Sequence, residues 1–271
     1  MNNIQNKVEP KELKLNGYAI HYYCSGDSTK DLILFLHPAF ADHRCFDRQV
    51  DFFSNNYRVI TLDMLGHGLS QPNNTKDKID KAVNHIDQIL SSEGYSKAHL
   101  AGVSVGSLIA QYYGLLHPDK VSSMTILGGY DINADNRQVL KAQRQEQIKW
   151  ILTALFSMNS FRRHVARAAV ASPEAEQHFF KMAKLFTRKS FMVMSGLSQV
   201  LRKRHGISLT YPVLIMCGEM DSELAKQLSL KWHESEPGSN FHLIRDAGHC
   251  ANMDNSVTFN GLLNDFIKQQ K

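Results

Sequence analysis

The chain has 271 residues, 43% hydrophobic and 21% charged, with a formal net charge of +5. That length suits one large core plus an appended subdomain. No apolar run reaches the roughly 18 residues of a helical membrane span, and no nucleic-acid reader motif accompanies the modest basic excess, so both classes are set aside.

Read in chain order, Met1 to Pro10 is polar and has no apolar segment of the signal-peptide kind. Lys11 to Leu15 and Tyr18 to Cys24 flank Asn16-Gly17, a pair that predicts a hairpin with a type I′ turn. Short apolar runs follow at Leu32 to Leu36, Val59 to Leu62, Ala98 to Val103, Val121 to Leu127, Val213 to Cys217 and Phe241 to Ile244. Continuous apolar runs fit parallel strands covered on both faces. Helical patterns lie between and after them, at Arg44 to Phe53, Ile79 to Ser91, Ser107 to His117, Glu223 to His233 and Val257 to Lys268. Strands alternating with helices predict an open α/β sheet, mostly parallel, with helices on its flanks.

The alternation stops between Tyr130 and Ile207, where only helices are predicted. Ser172-Pro173-Glu174 has the form of a helix start, with a capping hydroxyl, a proline at the first position and an acid in the first turn. Arg202 to His205 before Gly206 has the form of a helix end. The division expected is a core of residues 1–129 and 207–271 with a helical cap at 130–206.

Gly102-Val103-Ser104-Val105-Gly106 joins a predicted strand to a predicted helix. A G-x-S-x-G sequence in that setting is a nucleophile elbow, a tight turn that lifts the serine above the sheet edge. A serine hydroxyl needs a base, and the base an orienting carboxylate. His249 follows the last strand and Asp221 the one before it, so both fall at the carboxyl ends of strands, where open α/β sheets place their sites. Asp131, after the strand Val121 to Leu127, is the rival acid; the Gly218-Glu219-Met220-Asp221 setting favours Asp221.

The order Ser104, Asp221, His249, with Leu36-His37-Pro38-Ala39, Asp63-Met64-Leu65-Gly66-His67-Gly68-Leu69-Ser70 and Gly248-His249, resembles the α/β-hydrolase superfamily over nearly the whole chain. The resemblance implies Ser104 as nucleophile, His249 as general base and acid, Asp221 as its orienter, and an oxyanion hole from the backbone N–H groups of Ala39 and Val105. Pro38 stands where the family has glycine, but the implied donor is one residue later. Ser107 replaces a common second glycine, and the usual proline after the base motif is missing at Asp254-Asn255-Ser256. Haloalkane dehalogenases and epoxide hydrolases of the superfamily carry Asp at the nucleophile position; this chain has Ser104.

The implied activity is hydrolysis of a carboxylic ester, with thioester, lactone and carbon–carbon bond hydrolysis using the same triad. A triad-retaining receptor with slow turnover is the alternative of another class. Phe40, Trp150, Phe156 and Arg163 are the candidate substrate contacts. The stretch from Tyr130 to His205 has 14 basic and 5 acidic residues, a net +9 against −4 for the remainder. That excess leaves open an anionic or carrier-linked acyl substrate, with Arg162, Arg163 and Arg167 forming one face. His37 and His67 are read as structural groups beneath the site, and His43 and His85 as solvated helix positions. Cys24, Cys45, Cys217 and Cys250 show neither metal-ligand nor redox spacing. A cytoplasmic protein with no metal and no cofactor is expected; oligomeric state is left open.

Overall fold

The computed structural model describes residues 8–202 and 209–270. Among the described residues eight strands form a single sheet: β1 (Glu9–Leu15), β2 (Tyr18–Ser25), β3 (Leu32–Leu36), β4 (Arg58–Leu62), β5 (Ala98–Val103), β6 (Val121–Leu127), β7 (Val213–Gly218) and β8 (Ser239–Ile244). Their spatial order is β1-β2-β4-β3-β5-β6-β7-β8. The β1–β2 and β2–β4 pairs are antiparallel and all the others parallel. Every residue of β3, β4, β5 and β7 is buried. Strands with covered faces need no polar alternation, which is why they read as unbroken apolar runs.

Side chains alternate between the two faces. Leu32, Leu34 and Leu36 of β3 pack with helices α2 (Ala82–Ser92) and α3 (Val105–Leu116), through Ile86, Ile89, Ile109 and Tyr113. Ile33 and Phe35 face the other way, toward α1 (Asp47–Phe53) and α11 (Ser256–Lys268), through Phe53, Phe259, Leu263 and Phe266. A buried side chain of this size contributes about 1.5–3 kcal/mol over its exposed state. The sheet is therefore clamped between two apolar layers, and the loops at its carboxyl edge have a rigid base.

The hairpin turn differs from expectation. Leu15 pairs with Tyr18, so Asn16-Gly17 is the two-residue connection, but only Gly17 has positive φ (88°). A type I′ turn needs positive φ at both positions. The Asn74 N–H donates to the Gly17 carbonyl at 3.2 Å, so a tertiary contact shares in shaping this turn.

Between β6 and β7 lie α4 (Arg137–Phe156), α5 (Met158–Ala169), α6 (Pro173–Ala183), α7 (Arg188–Met194) and α8 (Leu197–Val200). The start of α6 is as predicted: the Ser172 hydroxyl accepts the Ala175 N–H at 3.1 Å. Most of the helix end predicted at Arg202 to His205 lies outside the described residues. After β7 and β8 come α9 (Glu223–Ser235) and the single turn α10 (Ala251–Asp254), which was not predicted. No described helix is long and apolar enough to cross a membrane.

Candidate active site

Ser104 ends β5 and precedes α3 with φ 52° and ψ −117°, one of three non-glycine residues with positive φ among those described. Such a conformation costs of order 1–3 kcal/mol and persists where the surroundings over-determine it. Two constraints are visible. The Ser104 N–H donates to the Leu127 carbonyl of β6 at 2.8 Å. Gly106 brings the first turn of α3 onto β3, and a Cβ there would collide with the Leu36 carbonyl. Ser107, the departure from a second glycine, is put to use: its hydroxyl donates to the Ser104 carbonyl at 2.5 Å.

The residues after Leu127 carry the turn to His249. Gly128 has φ 61°, and a Cβ on it would lie 2.9 Å from His249 Cε1. The serine elbow and the imidazole thus flank one backbone turn. His249 Nδ1 lies 2.7 Å from Asp221 Oδ2. The Ser222 N–H donates to Asp221 Oδ1 at 2.7 Å, and the Cys217 thiol lies 3.7 Å from Oδ2. Burial alone would push the Asp221 carboxyl up; the His249 hydrogen bond and charge, with the Ser222 N–H, outweigh it and hold the group below the usual carboxylate range. Burial pushes the Cys217 thiol up to about 12, so it stays protonated beside the carboxylate. Asp131 lies elsewhere: its carboxylate accepts the Asn133 N–H at 2.8 Å, and burial pushes its carboxyl up.

Val105 is the first residue of α3, where backbone N–H groups have no carbonyl within the helix. Ala39 follows Pro38, whose carbonyl accepts from His37 Nδ1 at 2.7 Å and from the Ala41 N–H at 3.4 Å. His37 Nε2 accepts the Met64 N–H at 2.9 Å, which fixes a neutral ring, and burial holds its pKa below the ordinary histidine value. Asp63 organises the next turn. It accepts the Leu69 N–H at 2.8 Å and both the backbone N–H (3.0 Å) and Nδ1 (2.7 Å) of His43. His67 is fully buried between His37 and Phe186, and burial, then the nearby His37, pushes it down to about 3.

Two histidines are not where the sequence put them. His43 stacks on Tyr23 at 3.6 Å and holds Asp63. His85 is buried, with Nε2 2.9 Å from the Tyr18 hydroxyl. Helical periodicity marked them as polar positions, but long-range partners absorb them.

Asp254 is the positioning residue that sequence reasoning missed. One carboxylate oxygen accepts the N–H groups of Gly248 (2.8 Å) and Ala171 (2.9 Å), and the other accepts Ser172 N–H at 2.9 Å. It ties the turn before His249 to the inserted helices. Its place in Asp254-Asn255-Ser256, where a proline was expected, was the available signal.

Phe40 also has positive φ (68°). Its ring is enclosed by Trp150 (5.4 Å), Phe161 (5.1 Å), Phe186 (4.9 Å) and Phe191 (6.5 Å) from the inserted helices. The structure brings Trp150 to this cluster but not Phe156, which ends α4 and is 90% exposed. The Arg163 guanidinium lies over the Phe180 ring, 5.9 Å from its centroid, Arg162 donates to the Phe186 carbonyl at 2.9 Å, and Arg167 to Glu176 at 3.1 Å. The three arginines are engaged within the chain. Asp42, His43 and Asp63 bring ligand-type atoms within 4.8 Å of one another. Asp42 is already gripped by Arg44 at 2.9 and 2.6 Å, so its donors are committed to the fold.

Residues 31–149 match the family described as alpha/beta hydrolase fold. The chain has the α/β-hydrolase fold. The chain is 24% identical to human epoxide hydrolase 4, over 95% of this chain and 78% of that one. It is 23% identical to a 2-hydroxy-6-oxononadienedioate/2-hydroxy-6-oxononatrienedioate hydrolase of a Pseudomonas species, over 96% and 95% of the two chains. Among solved structures, a hydrolase from Pseudomonas aeruginosa superposes with a TM-score of 0.79 at 19% identity, covering 98% and 99%. An esterase from Exiguobacterium antarcticum gives 0.79 at 21%, covering 93% and 96%.

Proposed function

We propose that this α/β-hydrolase cleaves a carboxylic ester of a small molecule through an acyl-enzyme on Ser104. His249 Nε2 takes the Ser104 proton as Oγ attacks the carbonyl carbon. The backbone N–H groups of Val105 and Ala39 receive the resulting oxyanion, a contribution of about 10²–10³ in rate per donor. The alkoxide then leaves with the proton from His249, and water repeats the sequence on the acyl-enzyme. Asp221 keeps the imidazole in the tautomer that presents a bare Nε2. The observation that carries this reading is the 2.7 Å Asp221–His249 pair, set across the Leu127–Gly128 turn from a serine held at positive φ. With Ser104 at the elbow, epoxide opening through an aspartate ester, the route of relatives with Asp there, is not available.

In the same reading residues 130–206 are a cap, and the acyl or aryl group rests among Phe40, Trp150, Phe161 and Phe186. Trp150 Nε1 and His67 Nε2 are buried without a hydrogen-bond partner among the described residues, and they are the polar atoms a bound substrate would satisfy. A second reading, hydrolysis of a carbon–carbon bond in an oxo-dioic acid, is favoured by the nearly full-length match to the Pseudomonas hydrolase.

Turnover of an activated aryl ester and labelling by a fluorophosphonate probe test the proposal. Ser104→Ala should lose about 10⁶ in turnover and all labelling while keeping its thermal transition. Label that persists on another serine would overturn it. Fast cleavage of an oxo-dienoate with slow ester turnover would favour the second reading.

A further inference from the structure

Helix α4 keeps an apolar stripe outside the fold. Ile148, Ile151, Leu152, Leu155 and Phe156 recur at helical spacing and all are exposed, Leu155 at 61%. On a helix that packs on a core, this spacing marks the buried face. Met192 of α7, 72% exposed, extends the patch. Arg188 of α7 joins the two helices by donating to the carbonyls of Ala154 and Leu155, each at 3.2 Å. A shallow cavity of about 150 Å³ lies under the stripe, lined by Ile151, Ala154, Leu155, Arg188 and Phe191. Phe191 reaches from that cavity to the aromatic cluster around Phe40.

The charge beside this stripe is mostly positive. Helices α4 and α7 together carry six basic residues and one acidic residue, Glu146. Lys141 and Arg144 are exposed and lie two turns and one turn before Ile148 on the same side of α4, and Lys189 is exposed at the start of α7. Apolar side chains flanked by lysine and arginine at one level are what an anionic bilayer accepts: the side chains enter the acyl boundary while the cations meet the headgroups. A neutral apolar partner would not use the cations, and a second copy of this chain would set the same basic rims against each other.

We propose that the exposed face of α4 and α7 docks on an anionic phospholipid surface, with the Phe191 side of the patch leading inward to the aromatic cluster. The inference goes beyond the ester-hydrolase reading and does not need it.

The test is co-sedimentation of the full chain with vesicles of phosphatidylcholine, alone and with about 30 mol % phosphatidylserine. Binding to the mixed vesicles should exceed binding to the neutral ones by about tenfold or more and weaken with salt. Ile148→Gln, Leu152→Gln and Leu155→Gln together should reduce it about 100-fold, since glutamine keeps the helix but not the insertion. Lys141→Gln, Arg144→Gln and Lys189→Gln together should remove the preference for phosphatidylserine. Both variants should turn over a soluble aryl ester like the parent, so failure here is separate from failure of the proposed activity. Equal binding to both vesicles, a triple glutamine variant that binds like the parent, or a concentration-dependent dimer that the same variant abolishes would each overturn the proposal.

Discussion

Asp221→Asn isolates the least redundant contact of the candidate site. Asparagine is nearly isosteric and its carbonyl can still accept the Ser222 N–H, which donates to Asp221 at 2.7 Å. What changes is the 2.7 Å partner of His249 Nδ1. A carboxylate only accepts, so it demands a proton on Nδ1 and leaves Nε2 bare; an amide can instead donate, which favours the tautomer with the proton on Nε2. The expected loss in kcat is about 10⁴, or ~5.4 kcal/mol at 1.36 kcal/mol per decade. Stability should move far less. The lost charge-assisted bond, about 1.5–3 kcal/mol, is offset by no longer burying a charge that is only 7% exposed. Because Asp221 is held below the usual carboxylate range, its stabilising ionisation is present above about pH 4 and is lost only as pH falls through the lower folded value. The variant should therefore differ from the parent at neutral pH and converge toward it in acid. Steady-state turnover of an aryl ester, with urea unfolding at matched pH, measures both quantities. The reasoning fails if Asp131→Asn loses about 10⁴ while Asp221→Asn stays within tenfold.

Gly106→Ala should cost about 3 kcal/mol or more, because the added methyl meets the Leu36 and His37 carbonyls and backbone cannot turn aside. A urea midpoint within error of the parent would contradict that contact. His85, pushed down to about 4 chiefly by burial, binds its proton in the unfolded chain but not the folded one between about pH 6.5 and 4. Stability should fall as pH drops through that window, by up to about 1.4 kcal/mol per pH unit from this group, and His67 adds a loss of the same sign. His85→Gln should flatten part of the slope; an unchanged slope would mean that His85 is protonated in the fold.

The fold class and the chain order of the candidate triad were legible in the sequence because they are written in local terms. Buried parallel strands give unbroken apolar runs, and the predicted runs coincide with β3, β5 and β6 residue for residue. Gly102 and Gly106 around Ser104 signal a turn too tight for side chains. The histidines were less legible. Nothing near His85 in sequence indicates Tyr18, 67 residues away, and nothing near His43 indicates Asp63. Phe156 and Arg162, Arg163 and Arg167 were singled out by composition and helical spacing, which report what a segment contains but not which neighbours each side chain meets.

By itself, the sequence determined which residue types stand at the ends of the strands, since period and turn chemistry act over a few neighbours. Only the tertiary structure decided which of them meet. Asp221 rather than Asp131 lies 2.7 Å from His249 because β7 lies directly beside β8 in the sheet, whereas β6, which Asp131 follows, is one strand further away. The tertiary structure likewise set Phe40 inside four aromatic rings and left the apolar face of α4 uncovered. Burial is a property of what packs against a residue, and a chain of local preferences does not contain it.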